Sequence, residues 1–88
     1  MRVDEQQHSY TPPNGFVPDS ATAIRIAEAV LIPVYGDKEV TRQKPLLAEL
    51  AKGVWTVRGQ LGPNVPGGVA MVQISKRDGR ILRMSHEK

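Results

Sequence analysis

The chain is expected to form an α+β domain, in which one N-terminal amphipathic helix packs on a curved four-stranded antiparallel sheet. Three features point there. Apolar residues recur at steps of three and four between residues 19 and 35, the period changes to two from Gln43 onward, and turn residues separate the alternating segments. The 88 residues leave room for one domain and one modest core, because a chain this short buries only roughly 60% of its unfolded surface.

Residues 1–18 read as a polar arm, punctuated by Pro12 and Pro13, Asn14 and Gly15, and Pro18, without apolar periodicity. Phe16 and Val17 stand where large apolar residues before a helix start pack back onto a core. The domain proper is assigned to residues 19–88. Asp19 or Ser20 is placed to cap the helix, and Ala23, Ile24, Ala27, Val30, Leu31 and Val34 form its apolar stripe. Thr22, Arg25 and Glu28 fall on the other side. Pro33 removes an amide from the last turn, and Gly36 suits the left-handed backbone that ends a helix.

Residues 45–50 form the first predicted strand, with Leu46, Ala48 and Leu50 on one face, and Lys52 with Gly53 turns the chain. The second strand, 54–61, sets Trp55, Val57, Gly59 and Leu61 on a common face. Residues 62–68 hold too much Gly and Pro for regular structure and make a loop into a third strand, 69–75. A four-residue turn at 76–79 leads into a fourth strand, 80–86. If Ser75 faces Arg80, Ile74 lies across from Ile81, and Ala70, Val72, Ile74 and Ile81 complete the surface for the helix. Simple alternation then sets Val69, Met71, Leu82 and Met84 together on the opposite face, near Thr56, Arg58 and Gln73. An open sheet normally shows water a polar face. Four apolar residues there predict a contact, with a partner protein, a second copy of the chain or the arm as its occupant, or else a strand register that departs from simple alternation.

The charge is uneven. Residues 1–51 hold five basic and seven acidic side chains, whereas residues 52–88 hold seven basic and two acidic, within a net charge of +3. A basic half steers anionic partners. Nucleic acid is not expected, because single-strand binding needs several aromatic side chains interleaved with basic ones, and Trp55 is assigned to the buried face. No apolar run reaches the roughly 20 residues that cross a bilayer, so no membrane partner is expected. The first residues, acidic and amide-rich where a secretory signal needs an apolar core, predict a cytoplasmic protein, or a periplasmic one if a leader precedes them.

The parts of an enzyme are missing from the pattern. The chain has no cysteine, no serine in a nucleophile-elbow pattern and two histidines, His8 and His86, outside any metal-ligand spacing. His86 reads as an exposed terminal residue. Glu28 and Glu49 point away from the helix–sheet interface, and Tyr35 is expected to send its hydroxyl to a backbone carbonyl. The glycines of 62–68 lack a Gly-Lys-Ser/Thr ending and lead into a strand, so they make no phosphate cradle. No catalytic residue, no cofactor and no metal is expected.

A family resemblance rests on a run of short motifs in order: Ile26-Ala27-Glu28-Ala29, Pro33-Val34-Tyr35-Gly36, Gln43-Lys44-Pro45, Trp55-Thr56-Val57-Arg58-Gly59, Gly67-Gly68, and Ile74-Ser75-Lys76-Arg77-Asp78-Gly79-Arg80-Ile81. Over residues 19–88 the chain resembles the small bacterial immunity proteins with a nuclear-transport-factor-2-like, or cystatin-like, fold. The resemblance implies a shortened cone-like fold and a role in neutralising a toxin made by the same cell for bacterial competition. It implies direct protein–protein contact with the cognate toxin and no chemistry. Arg58, Met71, Arg77, Arg83 and Met84 are the expected partner-binding residues, since arginine and large apolar side chains anchor interfaces. The basic half predicts an acidic or mixed toxin surface. A homodimer through the same face stays open. A second resemblance also stays open, to PepSY-type domains that inhibit or chaperone peptidases outside the cytoplasm and likewise end in a strand, an Asp-Gly turn and a strand. A small-ligand site beside Tyr35 is the third alternative.

Overall fold

In the computed structural model, which describes residues 9–86, two helices precede four strands. Asp19 caps the first helix: its Oδ1 accepts from the Thr22 amide at 2.8 Å and from the Thr22 hydroxyl at 2.6 Å. That satisfies one of the amides a helix start leaves free. Helix α1 runs Ser20–Tyr35, and its buried residues are Ala23, Ala27 and Leu31. They form one i, i+4 row, whose next member, Tyr35, is half-buried against the core. Val34, expected in the stripe, lies off that row and is 59% exposed. Gly36, at φ 92, ends α1 and donates its amide to the Ile32 carbonyl at 2.8 Å.

A short helix, α2 (Asp37–Arg42), follows at once and was not among the expected elements. Asp37 and Glu39 in its first turn and Arg42 in its last complement the helix dipole. Its one buried residue is Val40.

The strands are β1 (Leu47–Ala51), β2 (Val54–Arg58), β3 (Ala70–Ser75) and β4 (Ile81–His86), paired antiparallel in the order β1-β2-β3-β4. The sheet does not close. Lys52 and Gly53, at φ 50 and 76, make the two-residue turn whose twist suits a hairpin. β2 stops three residues short of the expected end, because the Gln60 amide leaves the ladder for the Gln43 carbonyl at 2.8 Å. At the second hairpin the Ser75 amide donates to Arg80 at 2.8 Å, as expected, and Asp78 accepts from the Arg80 amide at 3.0 Å.

β4 departs from simple alternation. Ile74 does face Ile81, but Gln73 pairs with Arg83, which makes Leu82 an extra residue in β4 and the site of a bulge. Every side chain beyond it changes face. Met84 lies opposite Val72 and packs against the core, and His86 lies opposite Ala70. The expected grouping of Val69, Met71, Leu82 and Met84 therefore does not form, and Met84 is withdrawn from the outer face.

α1 crosses β1, β2 and β3 on one side of the sheet. Trp55, Val57, Ala70, Val72 and Ile74 meet Ala23, Ala27 and Leu31 there, with Val40 and Leu46 closing the end near α2. Each fully buried aliphatic side chain of valine size or larger contributes about 1.5–3 kcal/mol. Val17 joins the same core with no exposed surface. Its carbonyl accepts from the Trp55 indole at 2.8 Å, and the Phe16 and Val17 amides donate to the Arg77 and Lys76 carbonyls at 3.0 Å. Of the two residues expected to pin the arm, Val17 enters the core, while the Phe16 side chain is exposed. No helix among the described residues is long and apolar enough to cross a membrane.

Candidate functional site

The face of the sheet turned away from α1 is a grid set by strand register. One row across it reads Leu47, Arg58, Met71, Ser85, and the next reads Glu49, Thr56, Gln73, Arg83. Within the second row, Gln73 donates to the Thr56 hydroxyl at 3.3 Å. Arg58 and Arg83 are both exposed, and neither makes an ion pair among the described residues. Met71 is half-buried between Arg58 and Ser85. From a strand spacing of about 4.8 Å and a two-residue rise of about 6.8 Å, the Arg58 and Arg83 backbones stand roughly 12 Å apart. At that distance salt screens their repulsion, so two cations share the face without a penalty that would force them apart. Three of the five expected residues, Arg58, Met71 and Arg83, thus come together.

Met84 and Arg77 do not join them. Met84 is on the inner face. Arg77 sits in the turn between β3 and β4, where its carbonyl holds the Phe16 amide. There the arm and the two hairpin turns border an open hollow of about 490 Å³, lined by Pro12, Pro13, Gly15, Gly53, Lys76 and Arg77 among others. Lys76 also bonds the Asn14 carbonyl through its amine. Among the described residues no carboxylate or histidine lines the hollow.

The sequence reading missed a polar cluster at the opposite end, where α2 meets the sheet. Gln43 is almost fully buried. Its Oε1 accepts from the Ala70 amide at 2.8 Å, and its Nε2 donates to Glu39 at 2.5 Å. Glu39 also accepts from Arg42 at 2.8 and 3.2 Å and lies 3.4 Å from His86 Nε2. His86, expected to be an exposed terminal residue, is half-buried, and its ring packs on Tyr35 with centroids 5.1 Å apart. The Tyr35 ring thus packs on an imidazole, and among the described residues its hydroxyl makes no hydrogen bond to the expected backbone carbonyl. The Gly59 position has room for Gln43 because it carries no side chain: a Cβ there would lie 2.7 Å from the Gln43 Cβ.

The chemistry of this cluster is that of a clamp. The Arg42 hydrogen bond, followed by that of Gln43, pulls the Glu39 carboxyl down to about 2. A carboxylate that acidic is a weak base and holds no proton to donate near neutrality. Every partner it has ties α2 to its own last turn or to the strands. Among the described residues no three His, Asp or Glu side chains stand close enough to share a metal ion. The signal available beforehand was the i, i+4 spacing of Glu39 and Gln43 around Val40, which marks a helical turn.

Comparison with known proteins adds a family to this geometry. The profile of a family described as NTF2 fold immunity protein matches residues 22–88. Two Escherichia coli (strain K12) proteins are similar along the whole chain. The uncharacterized protein YhhH is 36% identical over 90 residues, which take in 100% of this chain and 69% of that protein. The uncharacterized protein YbbC is 33% identical over 91 residues, covering 100% of this chain and 74% of its own. No solved structure matches the chain with comparable significance.

Proposed function

The chain belongs to the NTF2 fold immunity protein family, whose role is to neutralise toxins, and we propose that it does so by direct contact, presenting the sheet face around Arg58, Met71 and Arg83 to its cognate toxin. One observation carries the choice of face: two arginines that make no ion pair among the described residues flank a half-buried methionine on the side of the sheet that α1 leaves open. Arginine loses less on desolvation than lysine and forms forked bonds to carboxylates, and methionine adapts to irregular surfaces. The partner surface is therefore acidic or mixed, and the inhibition is a matter of binding with no chemical step. Arg77 belongs to the rim of the molecule at the hairpin turns and contributes to steering before docking.

The test is protection of cells that express the toxin encoded beside the chain's gene. The double variant Arg58→Ala, Met71→Ala is expected to fold, since it sets no charge against a like charge across the β2–β3 pair and outward-facing truncations cost about 1 kcal/mol or less, yet to lose protection, because anchors of this kind each contribute about 2 kcal/mol or more to binding. A folded double variant that protects as well as the wild type would show that the toxin docks elsewhere.

A further inference from the structure

The two edges of the sheet are not alike. β4 is broken by its bulge and carries Arg83, with Arg80 just before it, features that discourage a further strand. β1 is a regular five-residue edge with one charge, Glu49, and neither proline nor lysine within it. Its Leu47 and Leu50 are 50% and 45% exposed, one on each face.

The register defines what this edge offers. The two-residue turn makes Ala51 and Val54 a mutually hydrogen-bonded pair, so Glu49 and Leu47 also bond inward to β2. The far side of β2 agrees: Lys76 donates to the Gly53 carbonyl at 2.9 Å and Gly59 to the Ala70 carbonyl at 3.0 Å, which commits Trp55 and Val57 to β3. Ala48 and Leu50 therefore aim their amides and carbonyls away from the sheet. No backbone bond to either from outside the sheet exists among the described residues.

We infer that the β1 edge receives an extended segment of the toxin as a fifth antiparallel strand, hydrogen-bonded to Ala48 and Leu50. The inference rests on the toxin-neutralising reading and specifies how the partner is held. Leu47 begins the row that continues through Arg58 and Met71, so an added strand and the outer face form one continuous surface. The inner-facing side chains of the strand cover Leu50, and the outer-facing ones cover Leu47. Opposite Glu49 the segment carries a lysine or arginine, because a like charge directly across a strand pair is destabilising. The same charge argues against a second copy as the occupant. The self-pairing that uses both outward residues of each chain, Ala48 on Leu50, sets Glu49 directly against its own counterpart.

Proline separates this edge's two roles. Ala48→Pro removes an amide that faces solvent and leaves the β1–β2 ladder intact, as edge strands tolerate. Binding of the toxin domain encoded beside the chain's gene is measured by calorimetry, with hydrogen exchange on the free and bound protein and sedimentation on the free protein. The Ala48 and Leu50 amides are expected to exchange more slowly in the complex, and Ala48→Pro to weaken binding by about tenfold or more with an unchanged thermal midpoint. If Ala48→Pro fails to fold, Glu49→Lys serves in its place and is expected to weaken binding through its clash with the basic residue opposite. Unchanged exchange at both amides with full binding by the variant overturns the inference while leaving the outer-face contact standing. A concentration-dependent dimer that protects the same amides in the free protein overturns it in favour of self-association. If the wild-type chain does not bind the toxin domain, the toxin-neutralising contact itself fails and the inference falls with it.

Discussion

Glu39 shows how much one side chain does that its sequence position hides. Its carboxyl is held at about 2, against an ordinary 4.5, by Arg42 first and then Gln43, with His86 adding a smaller part. Because the folded state lowers the value, this contribution is fully present above the unfolded value. It is lost as pH falls from there toward 2, where the unfolded chain takes up the proton first. Asp19, held low by Thr22, and Asp78, held low by the Arg80 amide, act in the same direction. The wild-type thermal midpoint is therefore expected to fall between about pH 5 and 2, and Glu39→Gln to make that fall shallower. Equal slopes for the two proteins in a pH series of melting curves would mean that the clamp does not couple to folding. Of this, only the one-turn spacing of Glu39 and Gln43 was legible beforehand. His86 is 43 residues from Gln43 along the chain, and only the fold brings its ring to within 3.4 Å of Glu39.

Among the helices and strands, legibility followed the strength of local pattern. α1 has a capping Asp, an apolar row and a terminal Gly, and its bounds match expectation closely. The four strands lie within one residue of where alternation and turn residues put them, except that β1 starts two residues late and β2 ends three residues early. α2 has six residues and one apolar side chain, too little for a periodic signal. The bulge in β4 has none at all, since Leu82 and Met84 are apolar on either register. It does make a sharp prediction. Met84→Glu sets a charge against Val72 on the inner face and is expected to cost about 1–3 kcal/mol, read as a lowered urea midpoint with an unchanged slope. Met71→Glu, on the outer face, is expected to stay within about 1 kcal/mol of wild type. Equal costs for the two would contradict the inverted register.

For the molecule as a whole, the core reaches further toward the N-terminus than the helix start. Val17 is fully buried and its carbonyl caps the Trp55 indole, while Gly15, at φ 84, passes so close to the Lys76 backbone that a Cβ would collide with it. Val17→Ala is expected to destabilise the protein by about 1–3 kcal/mol, lowering the thermal midpoint by about 4–8 °C per kcal/mol for a domain of this size. A midpoint within a degree of wild type would show that the arm is only lodged on the surface. Helix, strands, hairpin turns and the family were readable from residues in order, because caps, periodicity and turn chemistry act between neighbours a few positions apart. The side on which Met84 lies, the closing of the Glu39 clamp on His86, the entry of Val17 rather than Phe16 into the core and the open β1 edge came from the folded chain alone. Each depends on pairings between distant segments, whose register a single extra residue can invert and whose partners local pattern does not specify.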